Sequence, residues 1–124
     1  MAESIRISWP GGCVSAALRN TPTAAKLLAA LPCAAQAHTW GEEVYFTVPV
    51  EASLEQDARQ VVEPGMVCFW VEGASLALPY GATPIAHKGE SRLVTKCNVL
   101  GKIDGDPKAL AAIRDGDTVK VSAE

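Results

Sequence analysis

Ile5-Arg6-Ile7-Ser8-Trp9-Pro10-Gly11-Gly12-Cys13-Val14-Ser15-Ala16-Ala17-Leu18 is the stretch whose reading decides the fold. Ile5, Ile7 and Trp9 alternate with Ser4, Arg6 and Ser8, and a period of two places the apolar set on one face of a strand. Pro10-Gly11-Gly12 forms a turn, after which Val14, Ala16 and Leu18 resume the alternation. The reading is a β-hairpin with one dry face and one wet face.

Working outward, the same signature recurs at close spacing. Thr21 offers an N-cap and Pro22 a first helical position for a short helix running to Leu31, with Leu27, Leu28 and Leu31 on its apolar face. Pro32 ends it, and Cys33 to Ala37 reads as a strand of small residues. Val44, Phe46 and Val48 face one way while Glu43, Tyr45 and Thr47 face the other, with Pro49 fraying the strand's end. Residues 51–60 read as a polar connection with room for one helical turn. Glu63-Pro64-Gly65 turns into Met66 to Val71, a run apolar on both faces and so expected to be covered on both sides. Glu72-Gly73 turns into Leu76, Leu78 and Tyr80. Gly81 to Arg92 reads as an exposed excursion, and strand character is expected to return only at Cys97 to Ile103. Asp106 caps a second short helix from Pro107, and Asp115-Gly116-Asp117 leads to a last strand with Val119 and Val121 inward.

About eight strands and two short helices, with no strand–helix alternation, point to a mainly β, closed eight-stranded barrel that hides its sheet edges. The 124 residues fit one domain, expected over 1–124. A chain of this length buries roughly 65% of its unfolded surface. Its 48% hydrophobic content is ample for that core. Net charge is −3 and no two basic residues adjoin, so the basic stripe a nucleic-acid binder needs is missing. Leu27 to Trp40, the longest low-charge stretch, is broken by Pro32 and falls short of the roughly 20 residues that span a bilayer. No leader is apparent in MAESIRISW, so the expected location is cytoplasmic, without membrane or nucleic-acid partners.

Three stretches carry a resemblance. They are His38-Thr39-Trp40-Gly41-Glu42-Glu43-Val44-Tyr45-Phe46, then Pro64 to Trp70 running on to Tyr80-Gly81-Ala82-Thr83-Pro84, and Asn98-Val99-Leu100-Gly101-Lys102-Ile103. In this order and spacing the chain resembles a small prokaryotic family of single-domain proteins with a cyclophilin-like barrel. The wider cyclophilin group implies prolyl isomerase activity. There an arginine two residues beyond an aromatic strand residue stabilises the twisted proline peptide, because such a barrier falls only when a cationic donor faces the amide. Val44-Tyr45-Phe46-Thr47-Val48-Pro49 carries neither Arg nor His, so that activity is expected to be absent or very weak. Arg92 is the residue that could fold over from the excursion.

The densest group of candidate residues is Trp40, Glu42, Glu43 and Tyr45. If Glu42 shares the inward face of Val44 and Phe46, it lies at the barrel rim and must find a partner. Glu43 then faces outward with Tyr45 and Thr47. Functionally, Glu42 or Glu43 binds a cationic or hydroxyl-bearing ligand, or acts as a base, with Trp40 as a platform. The plainer alternative has Trp40 filling the rim and Glu42 accepting backbone N–H groups at Gly41. Trp70 and Tyr80 flank a hairpin and either line a groove with Thr83 and Pro84 or staple the core.

His38 and His87 have no spacing that supports a metal, and no metal or cofactor is expected. Cys13, Cys33, Cys68 and Cys97 form no CxxC pair and have small or apolar neighbours. They read as reduced, buried thiols, with a disulfide as the alternative. The leading functional reading is a non-catalytic module that presents a groove to a peptide or small ligand. Its rivals are an enzyme, either a vestigial prolyl isomerase or a Glu-dependent reaction, and an accessory protein acting through an oligomer interface.

Overall fold

A computed structural model describes residues 3–124. The opening hairpin pairs β1 (Glu3–Trp9) with β2 (Gly12–Leu18) antiparallel, Trp9 opposite Gly12. Helix α1 (Pro22–Ala30) begins as its sequence dictates: the Thr21 side chain accepts from the Ala24 N–H at 3.1 Å, and Pro22 occupies the first turn. Its face carrying Leu27 is buried against one end of the barrel. Then follow β3 (Cys33–Gln36), β4 (His38–Thr39), β5 (Glu43–Thr47), β6 (Arg59–Val62), β7 (Met66–Trp70), β8 (Ser75–Pro79), β9 (Ser91–Ile103), a 3₁₀ helix (Pro107–Ala112) and β10 (Thr118–Ala123).

Hydrogen bonding runs β3-β10-β1-β2-β9-β7-β8-β5-β4. The two ends of that path, β3 and β4, are consecutive in the chain and separated only by Ala37. One bent segment therefore pairs with β10 through its first half and with β5 through its second. The Ala37 N–H donates to Asp117 O at 2.7 Å at the crossing. Counted as one segment, β3 and β4 leave eight stations around a nearly closed barrel, which shortens the exposed edges a small β protein must otherwise protect. Ile5, Ile7, Leu18, Phe46, Phe69 and Leu100 fill the interior. Gly101 is required where β2 crosses β9, because a Cβ there would collide with the Ala17 carbonyl.

A second apolar layer lies outside the barrel. The alternation that sends Val67, Phe69, Leu76 and Leu78 inward sends Cys68 and Ala77 outward, yet both are buried. A ribbon covers them. Strand β9 is 13 residues long; its second half forms barrel wall with β7 and β2, while its first half leaves the wall and pairs with β6. Val62 and Leu93 from this ribbon close over Cys68, Ala77, Cys97 and Val99.

Two expectations are corrected here. Residues 51–60 hold no helical turn and end in a strand, and β9 starts at Ser91, well before Cys97. Arg59-Gln60-Val61-Val62 and Ser91 to Lys96 are short and polar on one side, so each looked like loop alone. They are strands because they pair with each other, Val62 opposite Ser91 and Val61 opposite Arg92. The doubly apolar Met66 to Trp70 stretch is covered on both sides as expected.

Candidate functional site

The site grows from the turn Trp40-Gly41-Glu42 and the strand it launches. Trp40 N–H donates to Glu43 O at 3.0 Å, closing the turn. Gly41 sits at φ 60 with Pro84 and the Ala82 carbonyl pressed against it, where a Cβ would overlap them. Glu42 is stitched to the facing segment three times: its N–H donates to Ala82 O at 2.9 Å, its carbonyl accepts from Tyr80 N at 2.8 Å, and its Oε1 accepts from Ala82 N at 3.0 Å. Its side chain stays exposed.

This corrects the expected roles of the two glutamates. Glu42 is not the inward carboxylate; Glu43 is the buried one, 6% exposed. The alternation from Phe46 and Val44 does not extend to residue 42, because the strand begins at Glu43 and the turn breaks its parity. Glu43 does share a face with Tyr45, but that face looks into the ribbon-covered layer and away from bulk water. Glu42 accepts one backbone N–H, from Ala82 on the facing segment and not from its own turn at Gly41 as the plainer reading expects.

The Glu43 carboxyl has no protein partner for Oε1, and burial pushes its pKa up to about 7. That is the behaviour of a carboxyl whose charged form has lost water and gained nothing in return. The same burial, helped by the Glu43 charge, pushes Cys97 up to about 12. Cys68 is raised further, by burial first and then by Cys97 and Glu43. Both thiols stay protonated at neutral pH and are poor nucleophiles. All four cysteines are free, but Cys13 is exposed and Cys33 half-buried, so the expectation of four buried thiols holds for Cys68 and Cys97 alone. Cys13 alternates with the inward residues of β2 and so faces water.

Glu43, Trp40, Tyr45, Trp70, Ala77 and Val94 line a cavity of about 140 Å³ between the sheet and the ribbon. Tyr45 and Trp70 meet edge to face, 6.2 Å apart and 88° between planes, and His38 stacks on Tyr45 at 5.2 Å. The Trp70 benzo ring lies over Gly73, where a Cβ would overlap it, and its Nε1 is buried without a partner. Val94, 55% exposed, forms the lip on the ribbon side.

Of the residues singled out in the sequence, Trp40, Glu43, Tyr45 and Trp70 therefore converge, while Glu42, Tyr80 and Thr83 do not. Tyr80 borders a separate open depression with Pro64, Gly81, Glu90 and Pro107. Burial and the charge of Glu42 raise its phenol pKa. Thr83 is buried, and its hydroxyl both donates to Arg92 O and accepts from Arg92 N. With Ser91, whose hydroxyl donates to Gly81 O, it pins the 81–90 loop onto β9. Ala77 and Val94 escaped the sequence reading. An apolar Val94 between Leu93 and Thr95 was the available signal, but it means something only once the ribbon is known.

No lining residue is cationic. Arg59 and Arg92 lie on the ribbon, and Arg92 Nε donates to Glu90 at 2.8 Å. Among the described residues no group of three or more His, Cys, Asp or Glu side chains is placed to hold a metal, and no helix is long and apolar enough to cross a membrane.

Comparison with known proteins agrees with this architecture. No curated protein matches the chain. The solution structure of a hypothetical protein from Archaeoglobus fulgidus superposes with a TM-score of 0.84 at 30% identity, covering 99% of this chain and 95% of that one. A family model described as cyclophilin-like matches residues 3–122. With the family model and the structural likeness in agreement, this chain belongs to the cyclophilin-like family.

Proposed function

We propose that this chain is a binding module whose ligand, a small molecule or one side chain of a peptide, enters the cavity beneath the ribbon and brings Glu43 a hydrogen-bond donor or a positive charge. The observation that carries the reading is the orphaned Glu43 carboxyl in an aromatic-walled recess. A buried polar group without a partner costs roughly 1–3 kcal/mol. A ligand that donates to it recovers part of that cost on binding, so the energy is stored where it favours association. The groove imagined from the sequence contracts to Trp40, Glu43, Tyr45 and Trp70, with Ala77 and Val94 completing it.

One observation favours a second reading: a carboxyl titrating near 7 suits general acid–base work. The binding reading stands first because, apart from the Tyr45 hydroxyl, the lining offers no second group to share a proton transfer. Prolyl isomerisation has even less support, since it asks for a cationic donor aimed at the twisting amide and the lining has none.

Nitrogen-15 NMR of the full chain with a library of small polar fragments tests the proposal. Binders should move the Trp40 and Trp70 indole N–H signals and leave Trp9, on the far hairpin, in place. Glu43→Ala should abolish the shifts. Binders that cluster on Trp9 or Tyr80, or that ignore Glu43→Ala, would overturn it.

A further inference from the structure

Three features of the cavity together narrow its ligand, and the inference drawn from them rests on the binding reading above. We propose that the cavity is a seat for an organic ammonium group, alkylated or methylated, held by the carboxylate of Glu43 and the rings of Trp40, Tyr45 and Trp70. The first feature is the walls. Tyr45 and Trp70 stand at 88° to one another, with Trp40 as a third aromatic side, and an ammonium over such faces is attracted by the ring quadrupoles. The second is charge. The cavity has one ionisable acid and no cationic lining residue, so a cation completes it whereas an anion meets Glu43 unopposed. The third is size. About 140 Å³ accepts one headgroup and no more, since pockets for drug-sized ligands run to roughly 300–1,000 Å³.

The groups that face Glu43 do not supply the missing cation. On its own strand there is Tyr45; from β7 come Cys68 and Trp70, and from β9 Cys97, both thiols raised and neutral. Pro79 lies opposite Glu43 on β8. Arg59 on the ribbon acts on Cys68, and Glu72 acts on Cys97, while neither shifts Glu43, whose displacement comes from burial. His38 reaches the site only through its stack on Tyr45. A bound ammonium is therefore the charge that lets Glu43 ionise, and binding releases the Glu43 proton to solvent at pH below about 7. Nothing covalent changes.

Titration of the full chain, followed by the Trp40 and Trp70 indole signals at fixed ionic strength, tests this with three probes. They are tetramethylammonium, the neutral tert-butanol of similar shape, and acetate. Tetramethylammonium should bind saturably, at least tenfold tighter than tert-butanol, with acetate inert. Its affinity should rise about tenfold between pH 6 and pH 8 as Glu43 ionises, and E43Q, which keeps the shape, should lose both that rise and the preference for the cation. A trimethyl-lysine peptide binding tighter than tetramethylammonium would place the headgroup on a peptide; equal affinity would point to a free small amine. Equal binding of tert-butanol and tetramethylammonium, or an unchanged pH profile in E43Q, would overturn the ammonium seat and leave the pocket reading intact. If no probe moves the two indoles, the pocket reading falls with it.

Discussion

The junction where Asn98 ties α1 to β9 and the pocket around Glu43 both bury polar side chains in apolar surroundings. Asn98 is fully buried and fully partnered. Its Oδ1 accepts from Glu55 N at 2.7 Å, and its Nδ2 donates to Thr23 Oγ1 and to Ser53 O, each at 2.9 Å. Glu55 in turn accepts from the Thr23 N–H at 3.0 Å and from its hydroxyl, so the irregular 53–55 segment is clamped to the helix start. Glu43 is nearly as buried and has an oxygen with no protein donor. A structural polar cluster satisfies itself, whereas an unsatisfied one in a recess awaits something from outside. The two lie on opposite faces of the same sheet, since Asn98 sits between Cys97 and Val99, which point into the ribbon-covered layer.

The comparison breaks most visibly at Asn98. Asn98→Ala leaves the Glu55 N–H, the Ser53 carbonyl and one bond of the Thr23 hydroxyl unmade, the last of them fully buried and the other two at a partly exposed segment. At roughly 1–3 kcal/mol for each stranded group, it should destabilise the fold by about 4 kcal/mol in urea melts. A loss below about 1 kcal/mol would mean that solvent reaches the cluster and that it is no different in kind from the pocket.

Glu43 should behave in the opposite sense. Its folded pKa is raised, so the folded state holds the proton more tightly than the unfolded chain does. Stability from that protonation is fully present below the unfolded value of 4.5 and is lost as pH rises through about 7. The difference is worth about 3 kcal/mol between pH 4 and pH 8. E43Q should therefore match the parent near pH 4 and exceed its stability by about that amount at pH 8. Asp57, Glu90 and Glu124 have lowered pKa values and contribute with the opposite sign, stabilising above their unfolded values. Taking the difference between parent and E43Q cancels them. A parent and variant that melt in parallel at every pH would show that Glu43 is solvated, and the contrast with Asn98 would close.

How much of this was legible in the chain follows the reach of each signal. Alternation in Ile5 to Leu18, Val44 to Val48 and Met66 to Val71 is local, and it located the barrel strands and their inward residues. The capping pair Thr21-Pro22 and the Asp106-Pro107 start were equally local and equally readable. The ribbon was not, because β6 and the first half of β9 are strands only by virtue of pairing across the connecting segments. The site suffered for the same reason. Trp40, Glu43, Tyr45 and Trp70 were all singled out, but alternation says which face a side chain takes and nothing about what covers that face. Local alternation therefore makes Glu43 wet and gives the inward role to Glu42. Asn98, whose partners Thr23 and Glu55 lie far away in the chain, was invisible as a clamp.

Glu42 supplies the smallest effect and the sharpest control. It adjoins Glu43 and has the same side chain, yet it is exposed and its one side-chain bond, from Ala82 N at 3.0 Å, lies at the surface. The two backbone bonds that hold the turn, to Ala82 and Tyr80, survive truncation of the side chain. Glu42→Ala should then cost about 0.5–1 kcal/mol, the net worth of one exposed charge-assisted bond. Because Glu42 does not line the cavity, the pH dependence assigned to Glu43 and the indole shifts of Trp40 and Trp70 should pass to this variant unchanged. A loss of 2 kcal/mol or more, or a weakened pH profile, would show that the turn sets the position of Glu43 through the Glu42 side chain, and the two carboxylates would have to be treated as one unit.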